Sequence, residues 1–295
     1  MIDTLDSVES MRGREMELVA DDATPLFVRR YTPRSESART IVLVHGLCEH
    51  GARYDHIASA LTERGWNVII PDLRGHGRSG GVNTHIGRFQ RYTSDLDLIY
   101  THFALRADST AVIAHSMGGL VSLRFAQQYP GRVSAMALLS PLLAVKVPIP
   151  RRTIATGKLM SLVAPRTRFR SRVDPVYTTR NKDALERRLA DPLIHKSVTA
   201  GWYFAMRAAL AAAWAEAGKV DLPLLILQAG EDRMVDAGAP AEWLKLTSSR
   251  DVTLKTFADH YHELLNEPDW PEIIGSVIDW LGPRVADGER RQVSA

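Results

Sequence analysis

Three residues far apart in this chain have the types, and stand in the order, needed to turn an alcohol into a nucleophile. The run Thr110-Ala111-Val112-Ile113-Ala114-His115-Ser116-Met117-Gly118-Gly119-Leu120 is apolar, breaks at a serine among small residues and continues with helical spacing. Such a strand-to-helix break is predicted to hold the Ser116 hydroxyl clear of a sheet edge, with the start of a helix aimed at any developing oxyanion. A serine hydroxyl attacks only when a base takes its proton and a third group orients that base. Leu224–Gln228 followed by Ala229-Gly230-Glu231-Asp232 places a carboxylate just after a buried strand, and Phe257-Ala258-Asp259-His260-Tyr261-His262 places histidines after the next one. Asp232 is preferred to Asp236, which lies four residues further on, and to Asp221, which precedes the strand. His262 is preferred to His260, which would face the opposite way in an extended loop.

Acyl transfer also requires donors for the oxyanion. The Met117 amide, next after the serine, is one. The Leu47 amide, after the strand that ends at His45-Gly46, is expected to be the other, with Gly46 permitting the turn that aims it inward. Cys48 beside this loop is either a reactive thiol near the substrate or a small buried apolar residue, and the second is the commoner fate of a lone cysteine. The histidine pairs His260/His262 and His45/His50 lack an accompanying carboxylate or cysteine cluster, so neither metal nor cofactor is expected.

Positioning these groups calls for alternating strands and helices. Thr40–Val44, Val68–Ile70, Ala111–Ala114, Ala135–Leu139, Leu224–Gln228 and Val252–Thr256 read as strands, several apolar at every position as in a parallel sheet covered on both faces. Helical stretches are predicted near 54–64, 94–105, 117–129, 238–247 and 270–281, and Arg14–Val19 with Leu26–Tyr31 as an antiparallel opening. The alternation stops from Pro141 to Gly218, where prolines punctuate the chain before an alanine-rich helix over Thr199–Ala217. This predicts a core of residues 1–140 and 219–295 and an inserted cap of 141–218 at the carboxyl ends of the strands. The cap carries Lys146, Arg151, Arg152, Lys158, Arg166, Arg168, Arg170 and Arg172, with no acidic residue between Ser109 and Val173.

A length of 295 residues with 45% apolar content suits one large α/β unit. The net charge of +3 is mild, and without a basic recognition helix or an aromatic platform nucleic acid is not expected as a partner. The first ten residues lack the features of a signal peptide and a single cysteine allows no internal disulfide, so a cytoplasmic location is expected.

The chain resembles α/β-hydrolases of the monoacylglycerol lipase and lysophospholipase group, the serine aminopeptidase S33-like set. The resemblance rests on His45-Gly46-Leu47-Cys48-Glu49-His50-Gly51-Ala52-Arg53-Tyr54, Pro71-Asp72-Leu73-Arg74-Gly75-His76-Gly77-Arg78-Ser79-Gly80, the Ser116 elbow, Gly230–Asp236 and Tyr261–Glu267. Two positions depart from it: Ala114 replaces the first elbow glycine, and Cys48 stands where many relatives have glycine. It implies a mostly parallel eight-stranded sheet with a helical cap. It further implies Ser116 as nucleophile, Asp232 as acid, His262 as base, Leu47 and Met117 as oxyanion donors, and hydrolysis of single-chain lipid esters without a cofactor. Asp72, Arg74 and His76 are expected to hold a loop. Trp202, on the alanine-rich helix, is expected to line the substrate cavity or to pack the cap on the core, and the basic, apolar-studded cap to rest transiently on anionic membrane. A carbon–carbon hydrolase, a peptidase and a short-chain esterase would use the same three residues. A non-catalytic ligand-binding protein on the same fold is the remaining alternative.

Overall fold

Alternate residues of the buried strands face opposite sides, and both sides are covered. A computed structural model describes residues 13–35, 37–170 and 173–287; the polar start at residues 1–10 and Arg172 lie outside the described residues. Strands β3 (Thr40–Val44), β5 (Thr110–His115), β6 (Ala135–Leu139) and β9 (Leu224–Ala229) are buried at every position. Val42, Val44, Val112, Ala114, Met136, Leu138 and Ile226 pack against α2 (Gln90–His102) and α3 (Met117–Gln128). Their neighbours Ile41, Leu43, Ile113, Ala137 and Leu227 pack against α1 (Asp55–Glu63) and α8 (Trp270–Leu281). This two-sided burial explains why these strands read as continuous apolar runs.

With β1 (Arg14–Val19), β2 (Pro25–Tyr31), β4 (Asn67–Pro71) and β10 (Val252–Phe257), they form an eight-stranded sheet in the order β1-β2-β4-β3-β5-β6-β9-β10. Within this sheet, among the described residues, β1 with β2 and β2 with β4 pair antiparallel and the other neighbours pair parallel. The chain leaves β3 for β4 on one side, then returns to place β5 on the other, so the loops after β3 and β5 open onto a common crevice at the carboxyl edge.

The elbow sits there. Ser116 has φ of +52°, an unfavourable conformation for a side-chain-bearing residue. It is held by Ser116 N–H to Leu139 C=O at 3.0 Å and by the Ser116 carbonyl, which accepts from Gly119 and Leu142 N–H at 2.9 Å each. One turn on, a Cβ on Gly118 would fall on the Val44 and His45 carbonyl oxygens. Backbone cannot yield as a side-chain tip can, so Gly118→Ala is expected to cost about 3 kcal/mol of stability, read as a lowered unfolding temperature by calorimetry.

Between β6 and β9 lie α4 (Arg151–Val163), a two-stranded antiparallel ribbon of β7 (Arg168–Arg170) and β8 (Ser197–Thr199), α5 (Lys182–Ala190) and α6 (Ala200–Ala215). The Thr199 hydroxyl caps α6 by accepting from Trp202 N–H at 3.1 Å. Trp202, Met206 and Ala213 join the core layer above α3. By contrast, α4 buries only Gly157 and leaves Leu159, Leu162 and Val163 at 56, 77 and 67% exposure. The short α7 (Ala239–Leu244) completes the chain between β9 and β10.

Candidate active site

Three strands of the sheet, β5, β9 and β10, lead to one side chain each. Ser116 follows β5, Asp232 the turn after β9, and His262 the loop after β10. The serine Oγ lies 2.9 Å from His262 Nε2, and His262 Nδ1 lies 2.6 Å from Asp232 Oδ2. A carboxylate can only accept, so Nδ1 carries the proton and Nε2 presents its lone pair to the hydroxyl. Exposure falls from 9% at Ser116 to 4% at His262 and 0% at Asp232.

Asp232 is fixed on its other oxygen, where Oδ1 accepts N–H from Met234 at 2.8 Å and Val235 at 3.0 Å. Burial raises its pKa, but the His262 charge and hydrogen bond and the two amides outweigh burial and lower it. For His262 burial works downward, and the Asp232 carboxylate overcomes it, so the imidazole pKa stands above its ordinary value. His115, whose ring centroid is 4.7 Å from that of His262, is pulled down to about 4 by burial and by the neighbouring imidazole. It is neutral where His262 titrates.

Gly46 donates its amide to Glu49 Oε1 at 2.5 Å. A Cβ there would come within 2.7 Å of Glu49 Oε1 and 3.2 Å of Ser116 Cβ, so glycine is what lets this loop lie against the elbow. Among the described residues no acceptor takes the next amide, that of Leu47, or the Met117 amide at the start of α3. Cys48 has φ of +64°, a backbone that favours glycine, and burial pushes its thiol up to about 12. It is a small uncharged wall residue. Its carbonyl accepts from His195 N–H at 3.0 Å, tying this loop to the segment between α5 and β8.

Gly46, Leu47, Cys48, Ser116, His262 and Trp202 all line one cavity of about 350 Å³. Its outer walls come from the 141–218 segment through aliphatic and aromatic residues such as Ile149, Ile154, Val198 and Phe204. The carboxylates and histidines set aside earlier lie elsewhere. Asp236 Oδ1 accepts from Gly238 N–H, His260 Nε2 pairs with Asp269 Oδ2 at 2.7 Å, and Asp221 precedes β9. Asp72 takes the Gly51 and Arg78 amides and Arg29, while Arg74 grips Asp95 through two nitrogens. Both hold loops. No cluster of potential metal ligands occurs among the described residues.

Sequence reasoning missed a buried charge network beside these groups. Glu49 and Glu263 share Arg53, and Glu263 also binds Arg188. The signal was present, since Glu49 and Arg53 belong to the His45–Tyr54 block of the resemblance and Glu263 adjoins His262, but nothing in the sequence links them to position 188.

A serine on a sharp strand-to-helix turn of such a sheet, backed by a histidine and an aspartate, is the arrangement of an α/β-hydrolase. The profile of the family described as Serine aminopeptidase, S33 matches residues 35–269. Monoglyceride lipase of Rattus norvegicus is 31% identical over 279 residues, covering 91% of this chain and 90% of that protein. Monoacylglycerol lipase of Mycolicibacterium smegmatis is 29% identical over 255 residues, covering 85% and 90%. The crystal structure of Paleococcus ferrophilus monoacylglycerol lipase superposes with a TM-score of 0.80 at 26% identity, covering 87% of this chain and 99% of that one. The chain therefore belongs to the serine aminopeptidase S33 family of α/β-hydrolases, in its monoacylglycerol lipase and lysophospholipase group.

Proposed function

We propose that Ser116, His262 and Asp232 are a catalytic triad that hydrolyses single-chain lipid esters, foremost monoacylglycerol to glycerol and fatty acid. The observation that carries this reading is the continuous relay of 2.9 and 2.6 Å opening into a largely apolar cavity. Within a carboxylic ester hydrolase, that geometry supports the following steps. His262 Nε2 takes the Ser116 proton as Oγ attacks the ester carbonyl, and the Leu47 and Met117 amides hold the oxyanion. The imidazolium formed is stabilised by Asp232 and returns its proton to the leaving alcohol. Water, activated by the same nitrogen, then releases the fatty acid from Ser116. The aliphatic walls around Ile154 and Phe204 suit an acyl chain, and Gly46, Cys48 and Trp202 shape the end nearest the ester.

A substrate panel tests the choice of ester. Long-chain monoacylglycerol is expected to give the highest kcat/KM against lysophosphatidylcholine and p-nitrophenyl esters of rising chain length. A steep optimum at the shortest acyl chains would replace this reading with a simple carboxylesterase.

Residues 141–218 act in this proposal as a cap, with α4 its lipid-facing part. Leu159, Leu162 and Val163 stand exposed on a helix that also carries Arg151, Arg152 and Lys158, the pairing of apolar and basic groups used at anionic interfaces. No helix among the described residues is long and apolar enough to cross a membrane. Flotation is expected to show the protein on anionic vesicles at physiological salt and much less on neutral ones, with Leu162→Asp reducing capture. Equal partition onto both vesicle types removes the membrane contact.

A further inference from the structure

The proposed mechanism leaves four ionised groups beside the base unused: the buried carboxylates of Glu49 and Glu263 and the largely enclosed guanidinium groups of Arg53 and Arg188. Arg53, in the 3-10 turn Gly51–Tyr54, binds Glu49 and reaches Glu263 with Nη2 at 2.6 Å. Glu49 Oε1 also accepts from Tyr54 hydroxyl at 2.8 Å, besides holding Gly46 N–H. Glu263, next in sequence to His262, accepts Arg188 Nη1 at 3.0 Å and Asn266 Nδ2 at 3.2 Å. Its amide donates to the Thr178 carbonyl at 2.8 Å. Two of these partners, Arg188 on α5 and Thr178 before it, belong to the inserted segment. The network thus joins the oxyanion loop, the histidine loop and the insertion, and its two carboxylates meet two guanidinium groups only when Arg188 is in place.

We propose that Arg188 is a positioning residue for the base. By binding Glu263 it fixes the loop that carries His262 and cancels negative charge beside the imidazole, so seating of the insertion completes the setting of the triad. The inference rests on His262 being the base, as proposed above.

The sign of the effect follows from every group that faces this imidazole. Asp232, from the turn after β9, binds Nδ1 and is itself steadied by Lys146 Nζ on its carbonyl at 2.7 Å. Ser116 and neutral His115 face it from the end of β5, and Glu49 lies 4.0 Å from His115 Nε2. Glu263 is on its own loop, with Arg53 and Arg188 bound to its carboxylate and Arg188 also lining the cavity. The Glu263 and Glu49 charges both favour the protonated imidazole. Removing the Arg188 cation leaves Glu263 less compensated, so the imidazole holds its proton to higher pH; removing the Glu263 charge does the reverse.

The test is the pH dependence of the rate at which a fluorophosphonate probe labels Ser116, which reports the base without requiring lipid binding. Arg188→Met is expected to move the midpoint upward by about half a pH unit, and Glu263→Gln to move it downward by a similar amount. The double variant is expected to return near the wild-type midpoint. Arg188→Lys, which keeps a cation in reach of Glu263, is expected to restore it. Arg188→Gln keeps a donor without the charge and gives the same upward shift should the methionine variant prove too unstable to assay. A merely structural arginine would lower the melting temperature and the labelling rate without opposed shifts that cancel. The proposal is overturned if folded Arg188→Met and Arg188→Gln keep the wild-type midpoint, or move it in the same direction as Glu263→Gln. Failure of the wild-type protein to label at all would instead refute the triad.

Discussion

Ser116→Ala is expected to lower kcat for monoacylglycerol hydrolysis by about five to six orders of magnitude, the loss that removal of a triad nucleophile produces in serine hydrolases generally. No neighbouring group can take over. The Cys48 thiol, the nearest alternative by type, is held protonated by burial, with its pKa pushed up to about 12. Stability should scarcely change, because alanine keeps the same Cβ at φ of +52° and gives up only the 2.9 Å hydrogen bond to His262. Steady-state turnover and a thermal melt on the same preparation separate the two quantities. Turnover within a hundredfold of the wild type would take Ser116 out of the reaction.

Asp232→Asn is the second large effect, a loss of about 10⁴-fold in kcat from the wrong imidazole tautomer. The asparagine Oδ1 still accepts the Met234 and Val235 amides that shape the turn. Its amide nitrogen then faces His262 Nδ1 as a donor and leaves the proton on Nε2, which can no longer accept from Ser116. The pH profile changes as well. In the wild type the raised His262 pKa means that activity is lost as pH falls through a midpoint above the ordinary histidine value. Without the Asp232 charge burial prevails and the remaining activity persists to lower pH. A stopped assay across the acid limb reads both the size of the loss and the direction of the midpoint.

The sheet was legible in the sequence because burial on both faces leaves no polar alternation to blur β3, β5, β6 and β9, whose limits differ by at most a residue or so from those read off the apolar runs. The convergence of Ser116, Asp232 and His262 was legible for a related reason: Ser116 directly follows β5, Asp232 lies in the turn after β9 and His262 in the loop after β10, and a parallel sheet gathers such ends along one edge. The 141–218 segment was less so. Its ribbon strands are three residues each, Arg168–Arg170 and Ser197–Thr199, too short for a period to show. The predicted helix over 94–105 is displaced, starting at Gln90 and ending at His102, because Gln90, Arg91 and Thr93 carry no apolar signal into its first turn. The ion network was hidden because its members stand at 49, 53, 188 and 263 and only tertiary structure brings them together.

The uneven anchoring of residues 141–218 has a consequence for diversification. With α6 locked into the hydrophobic interior through Trp202, Met206 and Ala213, and α4 burying only Gly157, exchange of residues 151–163 is expected to alter the cavity wall at Thr153 and Ile154 at little cost to the core. The scaffold would tolerate such swaps as it tolerates changes at a solvent-facing helix, with Ser116, Asp232 and His262 untouched on the far side of the cavity wall from α4's exposed face.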